Sequence, residues 1–318
     1  MASNRHNADK QLIELFDGFD KYKFPEGVIG VTAGYGSDAL LIKGSEKNAL
    51  IDCGNAYCAQ DLIENIKREL AGETLDYVFI THSHYDHVGA LPFVKQVWPN
   101  ITTFGSEYTY KILQKPTAID IINGLNQGAY ETYVGPGKLE IPEGGYVIDK
   151  VVFDGDKISL GDEEITVLET KGHTNCCISF ALQPQDIIFL SESTGLLIWP
   201  GFVNIEPLKS YSDALISIEK CEKYNAKYMV SPHYGLIPPQ YNEKYWELLK
   251  TSNNGYLEFL FPLFDKGLSD DEILKHFEEI YWIEERTKLY PKEPFLLNSR
   301  GMIRVYRDEY ESRKEAHP

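Results

Sequence analysis

Three histidines and an aspartate stand within six residues in the stretch Thr81-His82-Ser83-His84-Tyr85-Asp86-His87. Imidazole nitrogens and a carboxylate offered this densely suit a borderline divalent metal such as zinc, iron(II) or manganese. Along an extended segment, residues two apart point the same way. His82 and His84 are therefore expected to reach one ion, and Asp86 with the adjoining His87 a second ion beside it. A lone histidine is more often a core residue satisfied by a single hydrogen bond, but that explanation would have to hold here for four neighbouring ligand-type side chains at once.

The elements around this stretch are arranged to hold it. Leu75-Asp76-Tyr77-Val78-Phe79-Ile80 reads as a strand that delivers the chain directly into Thr81. Before it, Val28 to Val31, Ala39 to Ile42 and Ala49 to Asp52 are short apolar runs separated by Gly, Ser and Asn, the pattern of adjacent antiparallel strands. Apolar residues at 59, 62, 63, 66 and 70 recur at helical spacing, which predicts an amphipathic helix from Ala59 to Leu70. A short helix near Gly89 to Val97 and a strand near Ile101 to Phe104 follow. The region on to about Gly145 has no clear period, and a lid over the site is one use for it. Two strand pairs come next, Lys157 to Leu160 with Ile165 to Glu169 and Ile178 to Leu182 with Asp186 to Leu190. The first ends before Gly172-His173 and the second before Glu192. A helix from about Ser212 to Tyr224 leads to a strand and then to Pro232-His233. The candidate residues thus fall just beyond strand ends, where a rigid scaffold displays chemistry. After Asn242 the pattern turns helical, with a capping box at Ser269-Asp270-Asp271-Glu272.

Thr81-His82-Ser83-His84-Tyr85-Asp86-His87 resembles the T-H-x-H-x-D-H signature of the metallo-β-lactamase superfamily, and Asp52-Cys53-Gly54 resembles the acidic turn that precedes it. Gly172-His173-Thr174 is similar to the family's G-H-[ST] element, and Pro232-His233-Tyr234-Gly235 to its terminal histidine element. The resemblance implies an α/β fold, an αββα sandwich with the site along one edge, over residues 1–241, with 242–318 as a helical C-terminal cap. It also implies roles: His82, His84 and His173 on a first metal, and Asp86, His87 and His233 on a second. One position departs from the pattern. Where the family places a bridging aspartate, this chain reads Leu190-Ser191-Glu192-Ser193, so Glu192 is the carboxylate left to bridge.

Two divalent ions a few ångströms apart, zinc foremost and iron or manganese as alternatives, would generate hydroxide from a shared water and stabilise a developing oxyanion. Asp86, the catalytic candidate, would hold that hydroxide by a hydrogen bond. The resemblance permits thioesters, lactones, β-lactams and phosphodiesters, and the helical cap looks most like the thioesterase and glyoxalase II-like branch. Iron-dependent oxidoreductases and dioxygenases share the fold and form the rival reading, although the di-iron branch carries Glu where this chain has His84. A regulatory protein with a vestigial site is the third.

Composition narrows the partners. A net charge of −17 over 318 residues disfavours nucleic acid, which requires clustered Lys and Arg. A small-molecule substrate is expected instead. No segment approaches the ~20 apolar residues of a membrane span, and the polar Met1 to Asn7 has no apolar signal region. The 5 cysteines lack zinc-finger or redox spacing, consistent with reduced thiols in a cytoplasm. Weaker candidates remain. Asp52 could orient a ligand, Tyr85 and Tyr234 could touch substrate, and Cys176 and Cys177 read as small core residues. Arg300, Arg304 and Arg307 recur at helical spacing, as a solvated face or as a cationic strip. The apolar surface of the cap serves either as a pocket wall or as a homo-oligomer interface.

Overall fold

The computed structural model describes residues 23–199, 202–287 and 291–316; the polar N-terminal stretch read above lies outside them. One sheet runs in the order β1 (Val28–Gly30), β2 (Leu40–Lys43), β3 (Asn48–Ile51), β4 (Tyr77–Phe79), β5 (Thr102–Ser106) and β6 (Lys150–Val152). The other runs β14 (Gly235–Ile237), β13 (Tyr228–Ser231), β10 (Ile187–Phe189), β9 (Ile178–Gln183), β8 (Glu164–Glu169) and β7 (Lys157–Ser159). A separate hairpin joins β11 (Leu196–Trp199) to β12 (Phe202–Asn204).

The strands read as continuous apolar runs because both faces of each sheet are covered. In β2, Leu40 and Ile42 face the other sheet while Leu41 faces outward, and in β10 Ile187 and Phe189 face inward while Ile188 faces outward. This period of two splits the core into three layers. Between the sheets, Phe79 stacks on Phe104 at 4.8 Å and meets Phe180 of the opposite sheet edge-on at 5.3 Å. Outside the first sheet lie α1 (Ala59–Leu70), α2 (Tyr85–Val88), α3 (Leu91–Val97), α4 (Glu107–Leu113) and α5 (Pro116–Tyr133). α1 buries Leu62, Ile63, Ile66 and Leu70, as its apolar spacing predicts. Outside the second sheet, α6 (Tyr211–Tyr224) is joined by α7 (Asn242–Asp265), α8 (Asp270–Tyr281), α9 (Glu284–Thr287) and α10 (Lys292–Ala316). Buried residues of α7, α8 and α10, Tyr256, Phe277 and Tyr306 among them, belong to one core with Ile188 and Met229 of the sheet. The C-terminal helices therefore complete the second outer layer of an αββα sandwich.

Two expectations need correcting. The region after Phe104 carries two helices not expected from the sequence, α4 and α5, packed on the first sheet, while residues 134–149 lack regular structure. Ile122, Leu125 and Ala129 do recur at helical spacing, but Gly124 and Gly128 interrupt the pattern with poor helix formers. Strand-like alternation also stops at His84. Tyr85–Val88 is a helical turn, so Asp86 and His87 diverge around a helix rather than across a pleat.

Candidate metal centre

Strand order explains why distant residues meet. β3 and β4 are parallel neighbours, so Asp52 after the first emerges beside Thr81 after the second. β10 and β13 are likewise parallel neighbours, which brings Glu192 close to His233. β8 points the same way as β10, and His173 follows it. The two sheets are tied at this edge by the Ile178 N–H donating to the Thr81 carbonyl at 2.9 Å. Asn126 of α5 pins the same edge from outside: its Oδ1 accepts from the Ala56 N–H at 2.8 Å and its Nδ2 donates to the Tyr85 carbonyl at 3.1 Å.

All the proposed ligands arrive at one place in two groups. His82, His84, His173 and Glu192 form the first, and Asp86, His87, His233 and Glu192 the second, with the ligand atoms of each group within 4.8 Å of one another. Glu192 belongs to both. Its Oε2 lies 2.8 Å from His173 Nε2, while its Oε1 lies 2.8 Å from both His87 Nε2 and His233 Nε2. His84 Nδ1 is 3.1 Å from His173 Nε2, and Asp86 Oδ2 is 3.6 Å from His233 Nε2 and 3.9 Å from His87 Nε2. A tetrahedral ion with bonds of 2.0–2.1 Å holds its ligands about 3.3 Å apart, within the range of these separations. Glu192 sits on a single 3-10 turn, Glu192–Thr194, one residue past a strand-end loop.

Outer contacts fix the rings. The His87 Nδ1–H donates to Asp52 Oδ2 at 2.7 Å, and the His173 Nδ1–H donates to the Glu206 carbonyl at 2.7 Å. Asp52 is itself held by the Thr81 N–H at 2.8 Å and hydroxyl at 2.6 Å. In each ring the remaining nitrogen, Nε2, faces the cluster. Two of these residues occupy the left-handed region, Asp52 with φ 55° and His233 with φ 61°, a backbone state uncommon for residues other than glycine and concentrated at functional sites.

The buried groups of the cluster shift one another's protonation in both directions. Burial, with the neighbouring His173, pulls the His84 imidazole down to about 3, and burial together with His87 and His84 holds His82 well below its ordinary value. Both shifts favour the neutral imidazole, the form that ligates a metal. Burial pushes the Glu192 carboxyl up, but His173, His233 and His87 override it and hold the group well below the usual carboxylate range. Burial also raises Asp86, against the pull of His87 and His233. The most direct sign of fit is His82 Nε2, buried without a hydrogen-bond partner among the described residues. Such an atom costs roughly 1–3 kcal/mol, and a divalent ion in the first group removes that cost.

A sequence profile described as the metallo-beta-lactamase superfamily matches residues 32–233. The chain belongs to the metallo-β-lactamase superfamily. Glyoxylase B2 of Dictyostelium discoideum is 27% identical over 120 residues, 37% of this chain and 35% of that protein. Anaerobic nitric oxide reductase flavorubredoxin of Salmonella typhi is 24% identical over 220 residues, 66% of this chain and 40% of that one. The matches thus span about two fifths or less of these curated relatives. Two solved superfamily structures have the same fold. The protein from Thermus thermophilus superposes with a TM-score of 0.63 at 18% identity, covering 92% of this chain and 95% of that one. The archaeal protein from Sulfolobus tokodaii gives 0.58 at 19%, covering 89% and 99%.

The weaker candidates of this superfamily member divide. Asp52 touches His87 as described, and Tyr85 lines the cavity above the centre. Cys176 and Cys177 are buried against Thr174, outside both groups. Arg300 pairs with Asp271 at 2.9 Å, and Arg307 and Arg304 pair with Asp270 at 2.7 and 3.8 Å. Those arginines tie α10 to α8. Thr81, Glu206 and Asn126 did not stand out in the sequence. Thr81 stands inside the motif and was within reach, whereas Glu206 acts through its backbone carbonyl, which carries no side-chain signal.

Proposed function

We propose that this protein hydrolyses a small ester-like substrate, a thioester or lactone in first place, at a two-metal centre. The observation that carries the reading is the shared Glu192 carboxylate, joining two groups of ligands, buried except for the half-buried His84 and His233, at the floor of a cavity. His82, His84 and His173 would hold one ion, Asp86, His87 and His233 the other, and Glu192 both. Donor chemistry of imidazole and carboxylate favours zinc, with iron or manganese as alternatives. A pair of divalent ions supplies Lewis acidity, lowering the pKa of water from 15.7 towards ~7 and offsetting charge that develops on a carbonyl oxygen.

The protein's own groups do the rest. Asp86 presents its carboxylate to the cavity, where it accepts a hydrogen bond from the attacking water and aims it at the substrate carbon. Asp52 and the Glu206 carbonyl keep His87 and His173 in one tautomer and one orientation. Among the described residues the cavity lining contains no lysine or arginine, which weighs against phosphodiesters. His84, where the di-iron branch has Glu, weighs against the oxidoreductase reading. The test is a panel of thioester, lactone, β-lactam and phosphodiester substrates with metal-loaded protein. Thioester or lactone turnover that chelator abolishes and metal restores supports the proposal; activity on none of them, or chelator-insensitive activity, contradicts it.

A further inference from the structure

The cavity over the centre has a second half that the chemistry does not use. From a floor of His84, Asp86, Glu192 and His233 it extends between α5 and the first turns of α10. There its wall is Ile112, Ile121, Ile122, Leu125, Pro294 and Leu297, with Asn298 the polar exception. The whole cavity, floor included, has a volume of about 210 Å³. An apolar protein cavity of ~150 Å³ takes up a benzene ring, so the whole has room for an ester-like group together with a ring or an alkyl chain. Two of its residues stand open to solvent, Ile121 of α5 at 61% and Leu297 of α10 at 56% exposure. Isolated exposed apolar residues are ordinary, but exposed apolar residues that line one cavity with a largely apolar wall mark a binding cleft.

Resting on the hydrolytic reading above, we propose that this cleft binds the acyl arm of the substrate, and that the arm is apolar and uncharged along its length. The chemistry of the wall decides this. An anionic arm would be stripped of water against aliphatic side chains, with no lysine or arginine among the described lining residues to pair with it. An aliphatic or aryl arm meets only favourable burial, about 0.8 kcal/mol for each methylene removed from water.

The test separates the pocket from the chemistry by using amides that are not hydrolysed. Acetamide, butanamide, hexanamide and octanamide, together with the monoamide of octanedioic acid, are titrated calorimetrically into the full chain. The dissociation constant is expected to fall about fourfold per methylene, and the terminal carboxylate to weaken binding at least tenfold relative to octanamide. Ile121→Asp and Leu297→Asp are each expected to weaken octanamide at least tenfold, whereas Ile216→Asp, exposed on α6 and outside the cavity, leaves it unchanged. A constant that does not change with chain length, tighter binding of the carboxylate, or indifference to both cleft substitutions would overturn the proposal. Chain-dependent amide binding with no ester turned over would sink the hydrolytic reading and leave the cleft standing; turnover with flat amide binding would do the reverse.

Discussion

The His87 Nδ1–H donates to Asp52 Oδ2 across 2.7 Å, from the helical turn that follows β4 to the loop after its parallel neighbour β3. The contact links fold to site, because the same carboxylate also accepts from the Thr81 N–H and hydroxyl. Asp52→Asn keeps the shape but places an amide where an acceptor is required. His87 then loses the partner that sets its tautomer. Metal affinity of the second group is expected to fall about 10–100-fold, measured by competition with a graded series of chelators. Unchanged affinity would show that Asp52 serves the fold alone.

Gly172 has φ 137°, and a Cβ placed there would lie 2.5 Å from the Ala214 Cα on α6. Backbone on one side and a helix on the other leave no route for relief. Gly172→Val is expected to destabilise the protein by more than the ~1 kcal/mol typical of a point substitution, and to displace the adjoining His173. Denaturant midpoints and metal content should fall together; a variant matching wild type in both would contradict the packing described.

Arg286 is fully buried and its guanidinium lies 3.2 Å from the Glu206 carboxylate, joining α9 to the segment whose carbonyl holds His173. Arg286→Met leaves that carboxylate buried without its ion partner, a loss of about 3–5 kcal/mol. Equilibrium unfolding of the variant checks the magnitude. A loss below about 1 kcal/mol would place the pair among interactions that contribute little.

All five cysteines are buried and unpaired. Burial pushes the Cys58 and Cys221 thiols up to about 12, and Cys177 higher still. Only the thiolate is reactive, so raising the pKa suppresses reaction at neutral pH. Native protein at pH 7.5 (about one unit below a free thiol) is expected to react slowly with a thiol reagent, and all five groups to react on unfolding. A fast-reacting native thiol would contradict the burial.

The cluster of candidate ligands was legible in the sequence and much of its support was not. Ligand-type residues have few reasons to cluster, so His82, His84, Asp86 and His87 stood out by type alone, and the strand before them was plain from Val78, Phe79 and Ile80. Glu192 could be located only through the element order on either side of it. The α5 helix was hidden because Gly124 and Gly128 weaken the local pattern and α4 because Tyr108, Thr109, Tyr110 and Ile112 are strand-favouring types, and contacts such as Asn126 to Ala56 and Tyr85 are made only once the chain has folded. The β11 to β12 hairpin was also missed, although the turn dipeptide Pro200-Gly201 stands between its strands in the sequence. Helical spacing placed Arg300, Arg304 and Arg307 on one face, but only tertiary structure shows that Asp270 and Asp271 oppose it.

The proposed two-ion centre rests on Glu192, the residue common to both ligand groups, and metal stoichiometry of Glu192→Ala against wild type tests this most directly. Both proteins would be purified without chelator, reconstituted with zinc, and measured by elemental analysis, with circular dichroism to verify the fold. Wild type is expected to hold two ions per chain, and Glu192→Ala one or fewer with the sandwich intact, because the scaffold is held by the three core layers and not by this side chain. A folded Glu192→Ala variant that retains both ions would contradict the shared-carboxylate centre.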